Sequence, residues 1–397
     1  MTDARTREVL DAATRLQPAR DALSRQIHAH PEPGFMEVQA AAWLAEYLAA
    51  HGYAVEREAG GVATAFRATL ELGGAGPTVA LLAEYDALPG IGHGCGHNLI
   101  AAAAAGTGAI LGRLRRDGLR GRIQIVGTPA EEGGGGKVAL LEAGIFRGVD
   151  AALMIHPAPW TRFYEDLLGR SKITVEFFGK PAHAAANPDD GVNALDAMLL
   201  HFQGLAAMRQ QLRPTARVHG IITHGGDAAN VIPEHTAAVF YVRARTLDYL
   251  RELVCRFEAA AEGAAGATGC RAKVTPEAFV YEPMRANRAL SERFRGHLAS
   301  AGVVEDPPPP RPALASSDVG NVSQVVPTIQ PFLGILPAGA PAVPFHTREF
   351  RDAAATDEAH RRMGAAACAL ALTALDVLAD PALLGAAREE FARATAA

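Results

Sequence analysis

The segment Gly92-His93-Gly94-Cys95-Gly96-His97-Asn98 sets one thiol and two imidazoles side by side and is the densest cluster of metal-binding side chains in the chain. The acidic pair Glu131-Glu132 follows, then His156 before Pro157 and His346 after Phe345. Thiolate, imidazole and carboxylate are the donors that hold zinc and its first-row neighbours. An ion with an open coordination position beside a spare carboxylate makes a hydrolytic centre: the ion acidifies water and the carboxylate takes the proton.

Taken singly, each piece also has a plain structural explanation. A buried free cysteine is commonplace, and adjacent glutamates at a helix start are often a solvated pair. Lone histidines such as His156 and His346 more often serve the core than an ion. Glycines around Cys95 allow the tight turn that aims a thiolate and an imidazole at one point, and a helix opening at Asn98 would favour the anionic sulfur. His93 is read as a loop residue rather than a ligand. The Gly133–Gly136 run with Lys137 is no phosphate loop, because Glu131 stands where that motif opens with glycine and Val138 replaces its Ser or Thr.

The elements that must position these groups follow from periodicity. Two helical segments are expected over 20–57, the second carrying Trp43, Leu44, Tyr47 and Leu48. Strands are expected at 62–72, 78–82, 122–127 and 151–155, with helices at 100–114 and 137–141 between them, so the sheet is largely parallel and covered on both faces. Asp86, Cys95, Glu131, Glu132 and His156 all fall beyond carboxyl ends of strands, where such sheets gather chemistry. From about Gly169 the order becomes strand, helix, strand, strand, helix, strand, which is ferredoxin-like. The chain thus divides into a discontinuous first domain, 1–168 and 280–397, and an inserted second domain, 169–279. Beyond the insertion come a helix at 288–298, a stiff Pro307–Pro310 loop, a strand at 328–333 and a terminal helix from about Thr356.

At 397 residues the chain exceeds one ordinary hydrophobic core. A net charge of -5 without long Lys or Arg runs makes nucleic acid an unexpected partner. No run of about 18 apolar residues and no apolar N-terminal core is present, so neither membrane span nor signal is expected. The four cysteines lie far apart, which suits a reducing, cytoplasmic setting.

In order along the chain, Asp86-Ala87-Leu88-Pro89, Gly94-Cys95-Gly96-His97-Asn98, Pro129-Ala130-Glu131-Glu132, His183 with Pro188 and Gly191, Asn230-Val231-Ile232-Pro233 and Phe345-His346-Thr347 closely resemble the aminoacylase and carboxypeptidase family of two-metal amidohydrolases, metallopeptidase family twenty. The Cys-Gly-His version and the segment Ser317–Ser323 look nearest its branch of p-aminobenzoyl-glutamate, β-alanyl-dipeptide and hippurate hydrolases. The resemblance implies a zinc-exopeptidase-like α/β catalytic domain with an inserted lid that mediates homodimerisation. It implies two divalent ions per subunit, zinc foremost with Mn, Co or Ni also suited, on Cys95, His97, Glu132, His156 and His346, the thiolate bridging. Glu131 would be the general base, and His183 would reach the partner's active site. His183 and Asn230 are then candidates to steady the oxyanion, and Arg243 or Arg245 to meet a substrate carboxylate. Other branches carry His-x-Asp where this chain has Glu84-x-Asp86, so Asp86 is placed behind the ligands. The expected activity is hydrolysis of N-acyl amino acids or small dipeptides. Its rivals are an exopeptidase acting on longer peptides and a catalytically silent metal-dependent binding protein.

Overall fold

The computed structural model describes residues 3–114, 118–164, 167–308 and 315–396. In chain order the elements up to the insertion are α1 Asp3–Ala29, α2 Val38–Ala49, β1 Ala54–Arg57, β2 Phe66–Glu71, β3 Thr78–Ala83, α3 His97–Arg113, β4 Arg122–Gly127, α4 Gly136–Glu142, β5 Ala151–Leu153 and β6 His156–Ala158. The insertion holds β7 Gly169–Phe178, α5 Ala194–Arg209, β8 Arg217–His224, β9 His235–Ala244, α6 Leu247–Thr268 and β10 Arg271–Pro276. After it come α7 Arg288–Ser300, α8 Val319–Ser323, β11 Thr328–Ile329, β12 Phe332–Gly334, α9 Arg348–Ala353, α10 Asp357–Ala379 and α11 Pro381–Ala396.

The chain forms two compact units, Met1–Glu165 with Arg285–Ala313 and Asn321–Ala397, and Asp166–Met284 with Leu314–Gly320. In the first, a six-stranded sheet runs β1-β2-β4-β3-β5-β11. β4, β3, β5 and β11 are parallel, and β2 and β1 add an antiparallel edge. β3 is buried along its whole length, as a central parallel strand covered on both faces must be. α3 and α10 are Ala-rich, which lets helix and sheet approach closely, and their buried alanines join Leu81, Ile123 and Leu153 in one core. By length and composition α10 could cross a membrane, yet 78% of its most apolar window is buried inside this unit.

Several boundaries differ from expectation. The first helix starts at Asp3 rather than near 20 and carries Pro18 inside it. Residues 54–57 are a strand rather than helix, paired with β2. The strand expected at 328–333 is two strands, because Pro331 interrupts the ladder: β11 joins the large sheet, while β12 pairs with β6. The chain makes the same step between β5 and β6, which carries His156 out of the large sheet. Of the proline run, Pro309 and Pro310 lie outside the described residues.

In the second unit an antiparallel sheet runs β10-β7-β9-β8. β9 alternates strictly, with Ala238, Phe240 and Val242 packing on Met198, Leu205, Leu253 and Phe257 of the helices. His201 sits among Phe177, Phe240 and Phe257, and burial pushes its pKa down to about 4, so it is a neutral core side chain. Residues 315–320, expected in the first domain, pack with this unit.

Candidate metal centre

Three neighbouring strand ends deliver the site. β3 runs directly into Glu84-Tyr85-Asp86, β4 ends four residues before Glu131, and β6 opens on His156. The Cys95 loop then closes against β6. Gly96 stands in the left-handed region at φ 73°, and a Cβ there would lie 2.9 Å from Pro157 Cβ, so only glycine lets this turn meet the His156 strand. His97 begins α3 immediately after that turn, three residues earlier than the periodicity indicated.

Donor atoms of Cys95, His97 and His156 lie within 4.8 Å of one another, and so do those of Cys95, Glu132 and His346. Metal–ligand bonds of about 2.0–2.3 Å place two donors on one ion roughly 3–4.5 Å apart, so each trio fits one divalent ion. The trios share Cys95. All five expected ligands are therefore brought together, and Glu131 stands beside them, its Oε2 3.8 Å from His97 Nε2. A further trio, Glu84, His97 and Glu131, also meets the 4.8 Å spacing.

The imidazoles are held from behind. His97 Nδ1 donates to Asp86, 3.0 Å from both its Oδ1 and its main-chain carbonyl, which leaves Nε2 facing the centre. Asp86 Oδ2 accepts from the Glu132 amide at 2.9 Å, so one carboxylate aligns a histidine and steadies the acidic turn. His156 Nδ1 donates to the Pro157 carbonyl at 2.7 Å. His346, with its side chain 56% exposed, has Nε2 3.6 Å from Glu132 Oε2. His93 belongs to no trio: its Nε2 donates to the Ile27 carbonyl and pins the loop to α1.

The electrostatics are those of a cation site. Burial raises the Cys95 thiol well above the usual range, and Glu132 and Glu131 raise it further. The helix end expected to favour the thiolate is outweighed by these carboxylates, and a divalent ion is the partner that lets the sulfur ionise. Burial pushes His156 down to about 4, a neutral imidazole suited to coordination. Burial pushes His97 down too, but Asp86, Glu84 and Glu132 outweigh it and hold this imidazole well above its usual value. Among the described residues Glu84 Oε2, His97 Nε2 and Glu132 Oε1 are buried without a hydrogen-bond partner. Such atoms are costly unless an ion meets them.

Glu84 is fully buried and ion-paired at 2.6 Å with Lys137 Nζ, which is equally buried. Burial raises its pKa, yet Lys137, then His97 and His156, outweigh that and hold the carboxyl below its usual range. Lys137 is thus a charge partner inside the sheet–helix core, a role invisible in a glycine-rich run read for phosphate binding.

The remaining expected residues lie in the second unit. His183 is exposed in a turn where its Nδ1 accepts from the Ala185 and Ala186 amides, 3.2 and 3.1 Å away. Asn230 is in the loop that pairs with it, His183 bridging to Val231. Arg243 points to the sheet face opposite the helices and donates to Ser316 Oγ at 2.9 Å, while Arg245 is exposed just past β9.

Residues 80–359 match the model of peptidase family M20/M25/M40. The Xaa-Arg dipeptidase of Mus musculus is 40% identical over 400 residues, spanning 96% of this chain and 91% of that one. A subunit of the p-aminobenzoyl-glutamate hydrolase of Escherichia coli (strain K12), from the branch named on motifs alone, is 30% identical over 447 residues, spanning 94% of this chain and 92% of that one. Among solved structures, a dinuclear metal-binding peptidase of Bacillus subtilis superposes with a TM-score of 0.65 at 20% identity, covering 90% of this chain and 99% of that one. With the fold, the donor set and nearly the full length in agreement, the chain belongs to peptidase family M20/M25/M40.

Proposed function

We propose that this metal-dependent amidohydrolase cleaves small dipeptides or N-acyl amino acids at a two-ion centre, with dipeptides ending in arginine its first substrates to assay. The observation that carries the proposal is the pair of donor trios sharing Cys95, with a carboxylate that belongs to neither standing beside them. Cys95, His97 and His156 would hold one ion, and Cys95, Glu132 and His346 the other. When bound there, the ions polarise the amide carbonyl and acidify water. Glu131 takes the proton of the attacking water on its carboxylate and passes it to the departing nitrogen. His183 and Asn230 are assigned to the developing oxyanion, and Arg243 or Arg245 to the α-carboxylate of the substrate. Zinc suits the sulfur and imidazole donors best, and Mn, Co or Ni also suit such a mixed set.

The same proposal includes a homodimer formed through the second unit. β8 is an edge strand with Ile221 68% and Ile222 38% exposed, and an uncovered apolar edge is a ready template for a second copy. A reduced Cys95 is required as a ligand, which favours a cytoplasmic setting.

A panel of Xaa-Arg dipeptides, p-aminobenzoyl-glutamate, β-alanyl dipeptides and N-acyl amino acids, assayed with Zn and with Mn, tests this function. Turnover of two-residue or N-acyl substrates that stops on chelation is expected. Equal turnover of tetrapeptides would favour the exopeptidase, and failure on every compound would favour a silent binding protein. An intact Glu131 supports the enzyme, since binding alone has no use for a base beside the ions.

A further inference from the structure

Glu37 is the residue before α2, but the first-turn amides of Gln39 and Ala40 donate to Glu32, and the Glu37 carboxylate makes no cap bond. It turns inward, fully buried, and its Oε1 accepts the Ala130 amide at 2.8 Å while Oε2 accepts the Thr64 hydroxyl at 2.9 Å. Ala130 stands in the left-handed region at φ 57°, rarely taken by a residue with a Cβ. Two glycines make room for it: a Cβ on Gly34 would lie 2.9 Å, and one on Gly134 2.6 Å, from the Ala130 Cβ. On the other side of Glu131, the Glu132 amide donates to Asp86 Oδ2 at 2.9 Å. The amides of the residues on either side of Glu131, Ala130 and Glu132, are therefore each held by a buried carboxylate reached from a distant part of the chain.

We infer that Glu37 is a positioning residue for Glu131, fixing with Asp86 the turn that aims its carboxylate. This rests on the reading of Glu131 as the base. A residue that only supported the fold would have no reason to hold its neighbour in an uncommon conformation next to the centre. A proton-transferring carboxylate, in contrast, loses rate when displaced by about an ångström, on the order of 100-fold.

The test compares full-length, metal-saturated wild type with E37L, E37Q, T64V and E131Q for kcat, KM, ions per chain and thermal midpoint. Gln at position 37 keeps an oxygen for the Ala130 amide and presents its own amide to Thr64. The expected result is a kcat loss of about 10- to 100-fold in E37L at unchanged KM and ion content, recovery to within about threefold in E37Q, and a loss of roughly three- to tenfold in T64V. Wild-type kcat in folded E37L, whatever its thermal midpoint, overturns the inference. Should E37L not fold, T64V decides, and an unchanged kcat there overturns it equally. E131Q separates the two levels: full activity in E131Q refutes the base itself, whereas an inactive E131Q beside fully active E37L or T64V refutes only the positioning role.

Discussion

Adjacent glutamates with different neighbours should do different work. Glu132 lies within a donor trio that includes Cys95, whereas the trio of Glu131 is with Glu84 and His97 and lacks the thiol. Glu131→Gln is expected to keep both ions and the fold but to lose roughly 100- to 10,000-fold in kcat. Glu132→Gln should instead lower ion content, measured by elemental analysis alongside kinetics. Identical behaviour of the two variants would refute the division of labour. Glu37 gives a pH signature. Burial raises its pKa from 4.5 to about 7 in the fold, so between those values the folded state keeps a proton that the unfolded chain releases. The contribution of this group to stability is therefore fully present below about 4.5 and is lost as pH rises through about 7, by on the order of 3 kcal/mol. Urea midpoints of chelated wild type and E37Q at pH 5 and pH 8 check this: the wild type should lose more than E37Q across the interval, and parallel losses would contradict it. Of these residues, the grouped donors and Glu131 were legible as a motif set, while Glu37 was not. Nothing in Pro33-Gly34-Phe35-Met36-Glu37 marks a glutamate that spends its carboxylate on an amide 93 residues away.

At the level of elements, periodicity located most strands and helices of both units, because burial dictates an apolar pattern wherever a strand or helix has a covered face. It failed where chain connectivity overrides pattern. Thr328-Ile329-Gln330-Pro331-Phe332 reads as one apolar run, yet proline splits it between two sheets, and that split also sets β6 and hence His156 beside the Cys95 loop. Lys137 was likewise opaque, since a lysine in a glycine run gives no sign of being buried against a strand end. The Glu84–Lys137 pair ties β3 to the start of α4 with both side chains fully buried. Lys137→Met should leave an uncompensated carboxylate and cost about 3–5 kcal/mol. Chemical denaturation measures it, and a loss below about 1 kcal/mol would show that Glu84 has another partner. The double variant with Glu84→Gln should recover part of the loss, because the buried charge is gone.

For the whole molecule, the proposed dimer and the placing of His183 across it make one prediction. Subunits carrying His183→Ala and subunits carrying Glu131→Gln, each inactive alone, should regain turnover when mixed and allowed to exchange. A heterodimer then holds one site with both an intact Glu131 and the partner's histidine. Heterodimers as inactive as either parent would confine His183 to its own subunit or to structure.

The central claim is that two ions, held by donor trios that share Cys95, would make this centre hydrolytic, and ion-by-ion reconstitution tests it most directly. Chelated protein is titrated with Zn or Mn while bound ions per chain and turnover of an Xaa-Arg dipeptide are followed together. Two ions per chain are expected, with full activity reached only as the second binds and abolished by Cys95→Ala, which removes a donor from both trios. Full turnover with at most one ion per chain, or undiminished turnover after chelation, would contradict the account.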